Sequence, residues 1–281
     1  MLDFKKYEKQ LNNRTFTEYY KKLKLVAKSI FKWNNLPNGI NEKWIEEYLF
    51  HEGRCVFLKH DDLGYMVARC AEAGTLNEYD EPTIVRPVIN NYIGVNRDYE
   101  NHSECVVIRN NDDSFPTSES IKLFAYRLTD ITRTIDINIS AQKTPVLIVT
   151  DNKQKQTLLN VYKQWNGFEP VIFADKSLNI DGVKVLKTDS PIVFPDLQIQ
   201  KNHIWNECMT FLGINNANMD KRERLVDDEV QANNEQVELF AMMMFKAREE
   251  ACKEINKLFG LNISVEFRIP EIEEIEPVEV V

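Results

Sequence analysis

Hydrophobic positions in the first third of the chain change period. Phe16, Tyr19, Leu23, Val26 and Ile30 recur three and four residues apart, which predicts one apolar stripe along a helix. The stretch NNLPNG (34–39) stops it. A shorter helix is predicted after Asn41, a capping residue type, with Trp44, Ile45, Tyr48 and Leu49 facing inward and Gly53 as its end. From Arg54 to Arg109 the period falls toward two. RCVFLKH, GYMVARC, TIVRPVI and ECVVIRN, separated by Asp, Asn, Gly and Pro, predict a small antiparallel sheet.

Helical spacing then returns. SFPTSES opens a helix whose first turn accommodates Pro116, and Ile121, Phe124, Leu128, Ile131 and Ile135 form a seam with alternating steps of three and four. TPVLIVT, a short helix around Leu158–Trp165, PVIFAD and VKVLKTD make a small β-rich insert. A further helix from about Asp196 to Leu212 carries Leu197, Ile204, Cys208 and Phe211, and Gly213 ends it. Val237, Ala241, Met244, Ala251, Ile255 and Leu258 form a last seam, interrupted by Arg248 and stopped by Gly260. The pattern describes a helix-rich α+β protein with two rods, residues 116–142 and 190–213, bracketing the insert.

Between the last two helices lies NNANMDKRERLVDDEVQANNEQ (215–236), rich in charged residues and asparagine with few apolar ones. It reads as a long polar loop, and such loops inside a compact chain usually carry function.

Composition narrows the classes. The formal net charge is −9 over 281 residues, but residues 1–32 hold nine basic and three acidic residues, and EIEEIEPVEVV closes an acidic tail. That tail would repel nucleic acid. Nine glycines leave little material for phosphate-cradling loops, and GxxxxGK[ST], GxGxxG, HExxH and GxSxG are all missing. No apolar run approaches the roughly 18 residues of a membrane span, and MLDFKKYEKQ lacks an apolar signal core. Five scattered cysteines without a CxxC predict neither disulfides nor a zinc ribbon, as expected of a reducing intracellular setting.

Three clusters carry candidate chemistry. His51, Cys55, His60 and Cys70 are zinc-compatible residue types at an unfamiliar spacing. Asp61–Asp62, Asp112–Asp113 and Asp227–Asp228 are magnesium-compatible, although each pair falls in a predicted turn or loop, where Asp is favoured locally. Lys221, Arg222 and Arg224 suit weak contact with phosphates, tempered by the surrounding acids. A metal-dependent nuclease and a scaffold protein binding nucleic acid through its basic first helix therefore stay open as alternatives. No metal or cofactor is expected.

AQKTPVLI, PVIFA, KTDSP, WNECMTFLGINNAN, RERLVDDEVQANNEQVE and REEACKEINKLFGLN, in this order, resemble the portal (upper collar, head–tail connector) protein of small short-tailed phages with protein-primed DNA genomes. The resemblance implies a non-enzymatic, dodecameric ring at one capsid vertex of the virion, assembled in the host cytoplasm. Double-stranded DNA would pass through it, and its partners would be a packaging ATPase, major capsid and scaffolding proteins, and lower collar or tail proteins. Its implied parts are a first wing segment (1–115), stem helices (116–142 and 190–213), a clip (143–189), a channel loop (214–236), a second wing segment (237–268) and an acidic tail in place of a full crown (269–281). Lys187, Lys201, Asn218, Lys221, Arg222, Arg224, Asp227, Asp228 and Glu229 would line the channel. Two features depart from the family pattern: Asp196 replaces one of two lysines near the second rod, and the basic N-terminal arm is short.

Overall fold

The computed structural model describes residues 4–79, 81–89, 97–142, 146–148, 183–185, 191–215 and 227–268. The first apolar stripe is α1 (Phe4–Lys28), which ends two residues before the predicted seam does. Phe31–Asn34 then forms a strand, β1, that local pattern did not predict, because its partner lies at the far end of the sequence. It pairs antiparallel with β9 (Ser264–Phe267), Phe31 opposite Phe267 and Trp33 opposite Val265. Phe31, Phe267 and Phe245 pack there, with ring centroids 4.9 to 6.5 Å apart.

α2 (Glu42–Glu52) starts where Asn41 Oδ1 accepts from the Lys43 N–H at 2.9 Å. Gly53 ends it in the left-handed region (φ 75°), where an added Cβ would also run into the Ser114 carbonyl. The predicted runs become β2 (Arg54–His60), β3 (Gly64–Leu76), β4 (Pro82–Val88) and β6 (Cys105–Arg109), with a two-residue β5 (Tyr99–Glu100). They form an antiparallel sheet in the order β5-β4-β3-β2-β6. Val56, Leu58, Ala68, Val85, Tyr99 and Cys105 make the core of one face.

α3 (Thr117–Ala141) and α4 (Phe194–Phe211) occupy the two predicted rods. α5 runs unbroken from Asp227 to Phe259. The predicted loop 214–236 is therefore corrected at its C-terminal side: Asp227, Asp228 and Glu229 lie in the first turn of a helix. Acidic residue types are at home there, at the positive end of the helix dipole, and polar composition alone had disguised the turn as loop. Of the insert, β7 (Val146–Ile148) and β8 (Val183–Val185) are described and pair antiparallel, Val146 opposite Val185. The helix expected near Leu158–Trp165, the PVIFAD strand, residues 216–226 and the tail 269–281 lie outside the described residues.

The chain divides into two units, residues 1–130 with 201–281, and residues 131–200. In the first, α5 packs on β6 and β9, and α2 on β2 and β3. Its centre is a buried polar node. Arg248, the residue that interrupts the α5 seam, is 2% exposed and meets the carboxylate of Glu46 through Nε and Nη2 at 3.0 and 2.9 Å. The remaining guanidinium hydrogens reach Asn110 O (3.1 Å), Asn110 Oδ1 (3.0 Å) and Met244 O (2.9 Å). All five donors of the fork are used. The Phe31 ring stacks on it at 4.3 Å, and Trp33 Nε1 donates to the same Glu46 at 2.9 Å.

Candidate channel-forming elements

α3 leaves the node directly. The Asn110 side chain donates to Thr117 Oγ1 (2.9 Å) and to Phe115 O (2.8 Å), so the residue that accepts from Arg248 also holds the start of the rod. Ile121, Ala125 and Leu128 are fully buried, while Phe124 is half-buried against Phe211 of α4, 6.0 Å between centroids. Thr129, a buried hydroxyl within the helix, donates back to Ala125 O at 2.6 Å. Arg127 and Glu207 bridge the two helices at 2.7 Å on the surface. Gly213, just past α4, has φ 72°, and a Cβ there would lie 2.6 Å from Ala241 Cα, so only glycine lets the chain end pack on α5.

Within residues 131–200, Asn138 of α3 clamps the start of α4. Its amide donates to Pro191 O at 2.9 Å and its carbonyl accepts the Val193 N–H at 3.2 Å. Both hydrogen-bonding ends of this buried side chain are used.

A second set of apolar side chains on the helices points outward. Leu123, Tyr126, Ile137 and Ile139 of α3, Phe194 and Ile199 of α4, and Leu239, Met242 and Met243 of α5 are each 40% or more exposed in the single chain. The rods thus carry an inner apolar face, as their seams predict, and an outer one that period-counting for a core did not single out.

Of the expected channel residues, Lys201 is placed with its side chain: it is half-buried on α4, and its Nζ lies 5.8 Å from the Tyr19 ring of α1. Asp227, Asp228 and Glu229 are placed along α5 by backbone. Lys187, Asn218, Lys221, Arg222 and Arg224 lie outside the described residues.

Among the described residues the competing chemistry finds no assembled site. His51 Nε2 sits 2.9 Å from Lys24 Nζ, and His60 Nδ1 accepts from the Asp62 and Leu63 amides at 3.1 and 3.3 Å, closing the β2–β3 turn. Burial pushes the Cys70 thiol up to about 11 and the Cys105, Cys208 and Cys252 thiols up to about 12, and raises Cys55 well above its ordinary value. Burial thus favours the neutral form of each of these thiols. Among the described residues no group of three His, Cys, Asp or Glu side chains is placed to hold a metal, and no helix is long and apolar enough to cross a membrane. What sequence reading missed is the node: Glu46 and Asn110 carry no local signal, and the visible clue was one arginine inside an apolar seam.

The fold is that of phage portal proteins. It superposes on a chain of the portal and tail of native bacteriophage P68 with a TM-score of 0.55 at 17% identity, covering 98% of this chain and 94% of that one. An HK97 family phage portal protein from Corynebacterium diphtheriae (TM-score 0.44, 10% identity, 92% and 91% covered) and a chain from the neck of an empty GTA particle (0.43, 7%, 92% and 81%) are more distant. Residues 3–272 match the Phage Connector (GP10) family. A portal fold, two rods of which the first starts from a buried ionic node, and a family match running nearly end to end lead to one conclusion: this chain belongs to the phage connector family, the portal proteins of the head–tail junction.

Proposed function

We propose that the chain acts as a ring of twelve identical copies at one capsid vertex, with α3 and α4 as the stem around a central bore. Duplex DNA passes through the bore during packaging, driven by an ATPase on another chain, and passes out again at ejection. Residues 143–189 serve as the clip toward motor and tail, and residues 214–226 with the start of α5 reach the bore. Capsid and scaffolding proteins meet the wing, and lower collar and tail proteins meet the clip. Assembly takes place in the host cytoplasm before the ring becomes part of the virion.

The observation that carries this reading is the outer apolar face of the helices. Leu123, Tyr126, Leu239, Met242 and Met243 are 49 to 61% exposed in a lone chain, and repeated apolar side chains left open on rods are covered most simply by copies of the same chain. The acidic balance of −9 per copy fits a conduit. A ring of such chains offers duplex DNA no deep attractive well, so the duplex slides instead of sticking.

Light scattering on the purified chain, with negative-stain imaging, tests the reading. An annulus of about a dozen copies is expected. A stable monomer, with or without magnesium-dependent cleavage of DNA, overturns it.

A further inference from the structure

The base of α3 and the adjoining part of α5 bound a groove with a volume of about 550 Å³. Its floor is apolar: Phe115, Phe211, Phe240, Met243 and Met244 line it, with Phe211 and Phe240 6.1 Å apart between ring centroids. Phe115 is 66% and Met243 49% exposed in the single chain. The charged side chains at its edge are all acidic. Glu119 is paired with Lys122 at 2.6 Å, whereas the exposed Asp112 and Asp113 enter no ion pair among the described residues. An occupant of matching chemistry brings an apolar side chain flanked by cations.

The outer face of α1 has that composition. Leu23 and Ala27 are buried, and the opposite face of the helix exposes Arg14, Glu18, Lys21, Lys22 and Leu25. Leu25 is 70% exposed. Lys21 and Lys22 stand four and three positions before it, on the same side of the helix. Lys22 has an exposed partner in Glu18 at 3.1 Å, a pair of little strength, and Lys21 enters no ion pair among the described residues.

The two surfaces do not meet within one chain. Tyr126 of α3 stacks on Phe16 of α1 at 4.3 Å, while Phe124, two positions or about 200° round the helix, faces Phe211 at the groove. α1 and the groove thus lie on opposite flanks of α3. Leu25, nine positions or about 180° from Phe16, is on the side of α1 turned away from the rod. Two different surfaces on opposite flanks give a head-to-tail contact between copies, the type that closes into a ring when the rotation from copy to copy allows it.

We propose that Leu25 of one copy seats in the groove of the next, over Phe240 and Met243, with Lys21 and Lys22 facing Asp112 and Asp113 of that neighbour. The inference rests on the ring proposed above and names a contact that builds it.

The test uses the full chain with Leu25→Cys and Ser120→Cys, the latter a half-buried groove position, oxidised mildly, with each single variant as control and negative-stain images of every sample. A ladder of joined chains is expected from the double variant and from neither single one. Products that stop at two chains would mean a two-fold contact and overturn the head-to-tail assignment. A bond within one chain, or none in samples that still show annuli, would overturn this interface while leaving the ring standing; a parent chain without annuli overturns both. Independently, Lys21→Glu with Lys22→Glu should raise the concentration at which half the chains assemble roughly tenfold by light scattering, because like charges then face each other, and adding Asp112→Lys with Asp113→Lys should restore assembly. Lys253→Glu with Lys257→Glu, at exposed positions of α5, makes the same change in net charge elsewhere. An effect no larger than that control's, or no recovery in the quadruple variant, overturns the proposal even where the cysteine variants fail to fold.

Discussion

Replacing Arg248 by methionine should be among the most damaging single changes available to this fold. The substitution keeps much of the volume but leaves the Glu46 carboxylate buried, with Trp33 Nε1 as its remaining donor among the described residues, 2.9 Å away. Asn110 loses the donors to its backbone O and its Oδ1 in the same step. Breaking a buried pair by removing one partner costs about 3–5 kcal/mol, because the surviving charge has lost both water and counter-ion. Each orphaned carbonyl adds about 1–3 kcal/mol where it finds no new donor. A domain of this size holds about 5–15 kcal/mol in total, so roughly a fifth of the stability or more is at stake. Thermal unfolding at fixed protein concentration should show a fall of about 6–20 °C, from roughly 2–4 °C per kcal/mol. The double variant Arg248→Met with Glu46→Leu removes the stranded charge and should recover a substantial part of the loss. The reasoning is refuted if Arg248→Met costs less than about 1 kcal/mol, or if the double variant is as unstable as the single one.

Acid should loosen the α1–α2 contact. Burial raises the Glu47 carboxyl, but hydrogen bonds and charge from Lys24 and Lys28 outweigh it and bring the group down from 4.5 to about 2. A depressed carboxylate gives stability that is present above pH 4.5 and is lost as pH falls toward 2, worth about 1–2 kcal/mol after solvent screening. His51, lowered by burial and by Lys24, works in the same direction, because the unfolded chain takes up its proton first as pH drops. Glu47→Gln should therefore flatten the dependence of Tm on pH between about 5 and 3, and an unchanged slope counts against this account. Gly213→Ala should destabilise by at least about 1 kcal/mol, from the left-handed backbone and the 2.6 Å approach of its Cβ to Ala241 Cα. A variant as stable as the parent in urea would show that the α4–α5 junction relaxes freely.

Legibility in the sequence followed the range of the interaction. The sheet strands at 54–60, 64–76, 82–88 and 105–109 and the caps at Asn41 and Gly53 were readable because alternation, turn residues and capping types are local. The β1–β9 ribbon was not, since FKWN acquires its meaning from SVEF more than two hundred residues later. The first turns of α5 were hidden for the opposite reason: their composition is locally polar, and the helix is carried by the apolar seam that follows Val237. At the candidate site, Lys201 was expected from its place near the second rod, yet its contact with Tyr19 needs α1 to lie beside α4. No spacing in one segment encodes that. The outer apolar residues were visible as residue types, but their exposure is a property of the assembled fold.

The node explains how one unit can be built from two distant stretches of chain. Residues 131–200 separate Glu46 and Asn110 from Arg248 along the chain, which enters that stretch through α3 and leaves it through α4. The start of α3 and the end of α4 are both tied to α5. Thr117 is held by Asn110, which accepts from Arg248, and Gly213 packs directly on Ala241, one α5 turn before Met244. Hydrophobic contact alone would let α5 slide by a turn along its seam, because Val237, Ala241, Met244, Ala251 and Ile255 are similar in character. A bidentate guanidinium with four acceptors outside α5, two on Glu46 and two on Asn110, has one register. Stability is therefore only part of what the buried charge supplies: an apolar replacement of the pair can keep the fold standing while losing the alignment of the rods. Comparing the double variant with the parent for ring formation, rather than for Tm, separates these roles. Recovered stability with heterogeneous or missing annuli assigns the pair to register, and uniform rings from the double variant show that packing alone sets it.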